Sequence, residues 1–378
     1  MGGKGKTGCR LRDAHVARTS YRKRGWIVYN IQPTLSERLS LSLSMSRLAV
    51  VIGDPTGIGP EVLAKALAAG LATDVLLVGD LQVWEEAQRI AQVRVMAKPA
   101  SRPGLVTREG VPFVEVPVKE RAWKLGTMNP AAGRAVAEWL EEAVRLTTDG
   151  VADAVVFAPL NKQAIIRGGH RVRDEYELIA SFVHVDDHDE VNVIPHPAAE
   201  GLLWVARATS HVPLRDVPGL LTRDRILRTI KLAHRVAKSG GAASPRVGVA
   251  ALNPHAGEDG TMGDEEARVI RPAVEAAVAE QIDASGPYPA DHIFRMARAG
   301  RFDAVVAMYH DQAQIATKLL GFDRGVSIGI GYPFITVTPS HGTAFDIAGK
   351  GLADPQPMIQ ALKLADQLVR AGFRPHLG

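Results

Sequence analysis

Three apolar runs of this chain end in a histidine. Leu202 to Ala208 leads into Thr209-Ser210-His211, Arg246 to Leu252 into Asn253-Pro254-His255, and Phe302 to Met308 into Tyr309-His310. Neutral imidazole suits zinc, cobalt, nickel or ferrous iron, and a site built from three of them keeps positions open for substrate. Ligands of open α/β sheets collect beyond the carboxyl ends of strands, so three histidines placed alike can converge on one divalent ion. Taken singly, each is better explained as a strand-end histidine bonded to backbone. Taken together, the three favour a metal. His184, His188 and His196 lie among Asp186, Asp187 and Asp189, a stretch that reads as a solvated loop. His170, His234 and His292 have no comparable setting.

Two further groups could move protons. Asp291 follows Gly286-Pro287-Tyr288-Pro289-Ala290, and Lys318 stands eight residues past His310. A lysine beside a cation can act as acid or base at neutral pH. Spacing alone does not separate that role from a surface salt bridge. The turn Gly53-Asp54-Pro55-Thr56-Gly57-Ile58-Gly59-Pro60-Glu61 lacks both the phosphate-loop ending and the dinucleotide fingerprint, and a plain strand–turn–helix junction would use the same glycines. The later run His341-Gly342-Thr343-Ala344-Phe345-Asp346 is more informative. Its small residues allow a ligand close to the backbone. Asp346 could accept hydrogen bonds from ribose hydroxyls and repel a 2′-phosphate. A glycine-rich turn before a helix is the plainer alternative.

These groups need elements to hold them. Leu48–Ile52, Val75–Val78 and Val151–Phe157 read as buried strands, as do the three runs ending in histidine. Between them lie helical patterns at Ala131–Leu146, Arg223–Ala237 and Glu265–Ala279. Short Val/Ala-rich runs alternating with helices predict an α/β fold with a mostly parallel sheet. Residues 98–120 read as irregular.

The formal charge of +4 does not describe the body of the chain. Residues 1–44 hold nine basic and two acidic residues, which leaves 36 basic and 39 acidic for the remainder. A nucleic-acid footprint should be a stripe on the folded domain, so no nucleic-acid partner is expected. No apolar run is long enough to span a bilayer. Residues 1–44 lack a secretory apolar region and read as a disordered extension or an upstream start. Cys9, the one cysteine, falls there, so the body has no disulfide, thiolate ligand or cysteine nucleophile.

Together the quoted segments resemble the 4-hydroxythreonine-4-phosphate dehydrogenase family of vitamin B6 biosynthesis, from about Leu48 to about Ala365. The segments are Gly53 to Glu61, Asn253 to Glu258, Gly286 to Asp291, Ala307 to Gln312 and His341 to Ala344. The last also resembles the adenosine-binding segment of isopropylmalate dehydrogenases. The resemblance implies an isopropylmalate dehydrogenase-like fold of two α/β domains around a cleft. Residues 45–157 with 330–378 would form the NAD side, and residues 158–329 the metal, substrate and dimer side. It implies a cytoplasmic homodimer with a shared active site and a small-molecule substrate. His211, His255 and His310 would bind one divalent metal (zinc, or cobalt, nickel, magnesium or manganese), one ligand coming from the partner subunit. NAD would lie along His341, Gly342, Thr343, Ala344 and Asp346. Asp291 and Lys318 match positions that contact substrate near the metal.

The departures concern the substrate. Where the family has Gly-His-Thr-Glu near the substrate phosphate, this chain has Asp174-Glu175-Tyr176-Glu177. Where the family holds substrate with an asparagine and an arginine, Ser327 and Thr336 align. A carboxylate about 5 Å from a phosphate, at an effective dielectric of about 20, repels each phosphate charge by ~3 kcal/mol. The expected reaction is therefore NAD-dependent, metal-dependent oxidation of a secondary alcohol in a non-phosphorylated hydroxy acid or diol. Family relatives that oxidise carboxylated cyclohexadiene cis-diols also differ at these positions. Decarboxylation would follow only for a substrate with a suitably placed carboxylate. Lys162, Arg167, Arg171 or Arg173 could restore the missing positive charge, which would leave a true 4-hydroxythreonine-4-phosphate dehydrogenase. A catalytically silent metabolite-binding protein, and a basic tail that binds nucleic acid or an anionic membrane, are readings of other classes.

Overall fold

The apolar runs at 48–52, 75–78, 151–157, 202–208, 246–252 and 302–308 each hold a strand. The computed structural model describes residues 19–23, 26–30, 46–71, 73–100, 110–196, 201–321 and 324–375. Within the stretch read as an extension, Thr19–Lys23 (β1) and Trp26–Asn30 (β2) pair antiparallel. The remainder of that stretch lies outside the described residues.

Residues 46–378 form one compact unit around a 12-stranded sheet. Its strands are β3 (Arg47–Val51), β4 (Asp74–Gly79), β5 (Ala97–Pro99), β6 (Val111–Glu115), β7 (Ala154–Phe157), β8 (Asp189–Pro195) and β9 (Leu202–Arg207). They continue with β10 (Val247–Ala250), β11 (Ala284–Tyr288), β12 (Ala304–Ala307), β13 (Val326–Ile330) and β14 (Ile335–Pro339). The order across the sheet is β11-β10-β12-β9-β8-β13-β14-β7-β3-β4-β6-β5. Segment 158–329 thus contributes one contiguous half, and the flanking segments the other. The β11-β10-β12-β9 group is parallel throughout, as is the β14-β7-β3-β4-β6-β5 group. Between them the pairs β9–β8, β8–β13 and β13–β14 are antiparallel. The two parallel groups therefore run in opposite senses.

Helices cover the sheet: α1 (Gly59–Ala68), α2 (Leu81–Ala91), α3 (Pro130–Thr148), α4 (Lys162–Arg167), α5 (Glu175–Val183) and α6 (Val217–Leu220). The chain continues with α7 (Arg223–Ser239), α8 (Arg271–Ala279), α9 (Ala290–Arg298), α10 (His310–Gly321) and α11 (Gln356–Arg370). Their starts follow local chemistry. Asp80 accepts from the N–H groups of Gln82 and Val83 to open α2, and Asn129 accepts from Ala131 and Ala132 to open α3. Trp84, Trp139 and Leu140 of the helices and Trp204 of β9 are buried, each side chain stabilising the fold by roughly 2–3 kcal/mol. No helix among the described residues is long and apolar enough to cross a membrane.

Two readings need correction. The stretch from His184 to His196 is a loop only over residues 184–188, because Asp189–Pro195 is a central strand with Val191, Asn192, Val193 and Ile194 buried. Its polar positions Glu190 and Asn192 meet Arg207 of the neighbouring strand, a partner distant in sequence that satisfies them without water. Residues 98–120 also hold β6, with Phe113 fully buried.

Candidate active site

The order β10-β12-β9 and its parallel pairing put the carboxyl ends of the three histidine-bearing strands on one edge. His211 follows β9, and His310 opens α10 just past β12. Their rings lie 5.3 Å apart, centroid to centroid. His211 Nδ1 is 3.3 Å from Asp174 Oδ2, and His310 Nδ1 is 2.7 Å from Asp311 Oδ1. A carboxylate on Nδ1 fixes ring orientation and leaves Nε2 for a metal. This pair therefore has the donor chemistry and the outer support of a metal site.

His255 does not join the pair within the chain. Among the described residues no group of three or more His, Cys, Asp or Glu side chains is arranged to hold a metal. His255 sits in an exposed turn, Pro254–Gly260, where His255, Ala256, Glu258 and Asp259 all have positive φ. Each such residue costs roughly 1 kcal/mol or more, a strain that concentrates at functional sites. The turn follows β10, next to the edge strand β11. Asp291 is the second residue of α9, just past β11. The chain thus carries His211 with His310 on one strand pair, and His255 with Asp291 on the next. Lys318 lies two turns along α10 and, like Asp291, is exposed. Neither has an ion-pair partner among the described residues.

Asp174 connects the histidine pair to the expected substrate residues. One oxygen accepts from Glu177 N–H at 2.9 Å and caps α5, and the other faces His211. Burial pushes this carboxyl up, but the His211 contact, the Glu177 N–H and the Lys162 charge outweigh it and hold it at about 2. Glu175 is ion-paired with Lys162 at 3.5 Å, and burial raises its pKa. Tyr176 is buried, and desolvation with the nearby Glu190 and Glu175 carboxylates pushes its phenol well above the usual range. A Cβ at Gly329 would strike Thr336 Oγ1, and would also crowd Tyr332 and Tyr176. That bare position is what lets Tyr176 and Thr336 approach each other. Glu175 Oε2, Tyr176 Oη and Thr336 Oγ1 are buried, and none is hydrogen-bonded.

Ser327 is hydrogen-bonded on strand β13. Its hydroxyl accepts from Asn192 Nδ2 at 2.9 Å and bonds Ser340 Oγ at 3.0 Å. It belongs to a polar cluster that the sequence reading missed: Glu190, Asn192 and Arg207. The signal was present, a single arginine inside the apolar strand Leu-Leu-Trp-Val-Ala-Arg.

The late glycine-rich segment lies against the early glycine turn. Ile58 N–H donates to Thr343 O at 3.0 Å, and a Cβ at Gly57 would come within 2.7 Å of Thr343 Cβ. Gly57 thus serves close packing of two backbones, a role its spacing did not reveal. Lys65 Nζ donates at 2.8 Å to Glu61 Oε1, Gly351 O and Ala353 O, and Glu61 Oε1 accepts from Ala353 N–H at 3.0 Å. His341 lies 3.1 Å through Nδ1 from Gly342 O, and burial lowers its pKa. Gly342 and Asp346 are exposed, and a Cβ at Gly342 would meet nothing within 4 Å. The segment is anchored from behind and open in front.

Residues 71–365 match the family described as pyridoxal phosphate biosynthetic protein PdxA. A D-threonate 4-phosphate dehydrogenase of Pectobacterium atrosepticum is 37% identical over 332 residues, covering 85% of this chain and 98% of that protein. The crystal structure of a Klebsiella pneumoniae 4-hydroxythreonine-4-phosphate dehydrogenase superposes with a TM-score of 0.74 at 35% identity, covering 86% of this chain and 99% of that one. A terephthalate 1,2-cis-dihydrodiol dehydrogenase of Burkholderia xenovorans is more distant, with a TM-score of 0.59 at 28% identity over 87% and 99% of the two chains.

Proposed function

The chain belongs to the PdxA family and is a dehydrogenase acting on a CH–OH group, and from that premise we propose that it uses NAD to oxidise a small hydroxy acid or diol whose far end carries hydroxyls in place of a phosphate. The observation that carries this reading is a set of buried polar atoms without hydrogen bonds, Tyr176 Oη, Thr336 Oγ1 and Glu175 Oε2, the last in an ion pair with Lys162. An acceptor oxygen and two hydroxyls would complement substrate O–H groups. A phosphate there would face the carboxylates of Glu175 and Glu190.

His211 and His310, with the partner subunit's His255, would hold one divalent cation. A cation at that position supplies Lewis-acid activation of the alcohol and of the carbonyl that forms. Asp174 and Asp311 orient the two rings. Lys318 would accept the alcohol proton, with Asp291 assisting. The open side of the 341–346 segment would take the dinucleotide. A substrate carboxylate β to the new carbonyl would be lost as carbon dioxide; other substrates would stop at the ketone.

Sharing of the site between two copies has its own support. Val212 and Leu214 beside His211, and Ile315 and Leu319 on α10, are exposed apolar side chains, Leu319 at 82%. An apolar patch flanking two half-exposed ligands suits a protein interface. Mixing His211→Ala with His255→Ala subunits tests this. Random assembly should restore about a quarter of wild-type activity, because half of the dimers then carry one intact site. No recovery in verified heterodimers would remove the shared-site reading.

A phosphorylated hydroxy acid is the second reading. It is favoured by the names of the two more similar relatives and by Lys162, which sits close enough to Glu175 to temper its charge. Turnover assays with NAD and with NADP, with and without chelator, separate the two. Efficient oxidation of 4-phosphohydroxythreonine, with poor oxidation of unphosphorylated hydroxy acids and diols, would reverse the preference.

A further inference from the structure

Arg207 is fully buried, and each of its three guanidinium nitrogens donates a hydrogen bond. Nη2 donates to Glu190 Oε2 at 2.8 Å, Nη1 to Asn192 Oδ1 at 2.6 Å, and Nε to Ser210 Oγ at 3.0 Å. Each partner leads elsewhere. Ser210 is the residue before His211. Asn192 Oδ1 also accepts from Gln314 Nε2 at 2.9 Å, one turn after His310 on α10. Asn192 Nδ2 donates to Ser327 Oγ, and Ser327 bonds Ser340, the residue before His341. One polar chain therefore joins the His211 loop, the His310 helix and the start of the late glycine-rich segment.

We infer that Arg207 is a positioning residue that keeps the histidine pair in register with the cofactor segment. The inference rests on the metal and NAD assignments proposed above. Register is a real requirement, because β9 and β14 run in opposite senses. His211 and His341 consequently lie toward opposite ends of the strands, and an extended dinucleotide must reach between them. A buried ion pair is seldom the most stabilising filling for a core, since apolar residues of similar volume pack at least as well. Its fixed geometry is what apolar side chains would not supply. Arginine suits the task because its planar guanidinium reaches three separated acceptors from three different nitrogens, whereas a lysine ammonium donates from one.

Three variants separate positioning from simple structural support. Ser210→Ala cuts only the link toward His211, Ser327→Ala cuts the link toward Ser340, and Arg207→Lys keeps the charge but not the fork. Cobalt binding is read by absorption titration, NAD binding by fluorescence, and folding by thermal melting. Loss of outer support weakens metal binding by roughly 10- to 100-fold. A single lost link should therefore cost Ser210→Ala about three- to tenfold in cobalt affinity, with NAD binding unchanged. Ser327→Ala should weaken NAD binding several-fold and cobalt less, and Arg207→Lys should weaken both. Well-folded Ser210→Ala and Ser327→Ala proteins that bind both probes like wild type would overturn the inference, as would loss of thermal stability with binding intact. Wild-type protein that binds no cobalt would instead bring down the metal assignment and this inference with it.

Discussion

Replacing Glu175 by Gln isolates the electrostatic argument about the substrate. The carboxylate is only 13% exposed, and its one cationic neighbour, Lys162, stands 3.5 Å away and is 44% exposed. A phosphate taken up about 5 Å from this carboxylate meets ~3 kcal/mol of repulsion per charge at an effective dielectric of about 20. Lys162 opposes that term, but a half-exposed ammonium is screened by water and salt. The surviving penalty is therefore on the order of 1–3 kcal/mol, a factor of roughly 5 to 150 in an equilibrium constant. Glutamine keeps the shape and an acceptor oxygen and removes the charge. The expected result for Glu175→Gln is a rise of at least fivefold in kcat/KM for 4-phosphohydroxythreonine, mostly through KM. Oxidation of the matching unphosphorylated alcohol should fall or stay level. The assay is initial-rate NADH formation at low ionic strength, repeated at 0.5 M salt, where the gain should shrink. A folded Glu175→Gln enzyme with an unchanged or lower kcat/KM for the phosphorylated substrate would refute the reasoning.

Three other outcomes follow from the same geometry. Lys65→Met leaves the buried Glu61 carboxylate without its cation and unties Gly351 and Ala353. It should cost about 3 kcal/mol or more in denaturant unfolding and raise KM for NAD more than KM for the alcohol. Burial lifts Asp189 from 3.8 to about 6 against the pull of Arg207 and Arg225, so the folded protein keeps a proton that the unfolded chain releases between those values. Stability is therefore lost as pH rises through this window, and Asp189→Asn should gain up to about 3 kcal/mol at pH 7.5 and nothing at pH 3.5, read from melts at both. Gly133→Ala would normally favour a helix by ~1 kcal/mol, but here the added methyl strikes the Ala164 carbonyl of α4. Lower thermal stability by roughly 1–3 kcal/mol is expected, and a rise in melting temperature would show that the α3–α4 contact is looser than described.

The local alphabet of the fold and the types of residue at its centre are legible in the order of amino acids. Apolar runs with turn residues at their ends identify strands wherever both faces are buried, as at Leu48, Val75 and Leu202. Strand-end histidines are visible because a histidine after such a run has few places to go. The same logic failed at Asp189–Pro195, where Glu190 and Asn192 look solvated until Arg207 is beside them. Which side chains meet is set by the folded chain. It placed Asp174 on His211, drew Ser327 into the Arg207 cluster, paired Lys162 with Glu175, and left His255 one strand pair away from the other two histidines. Each outcome depends on strand order and pairing direction across a long-range sheet, and periodicity along one chain carries no record of either.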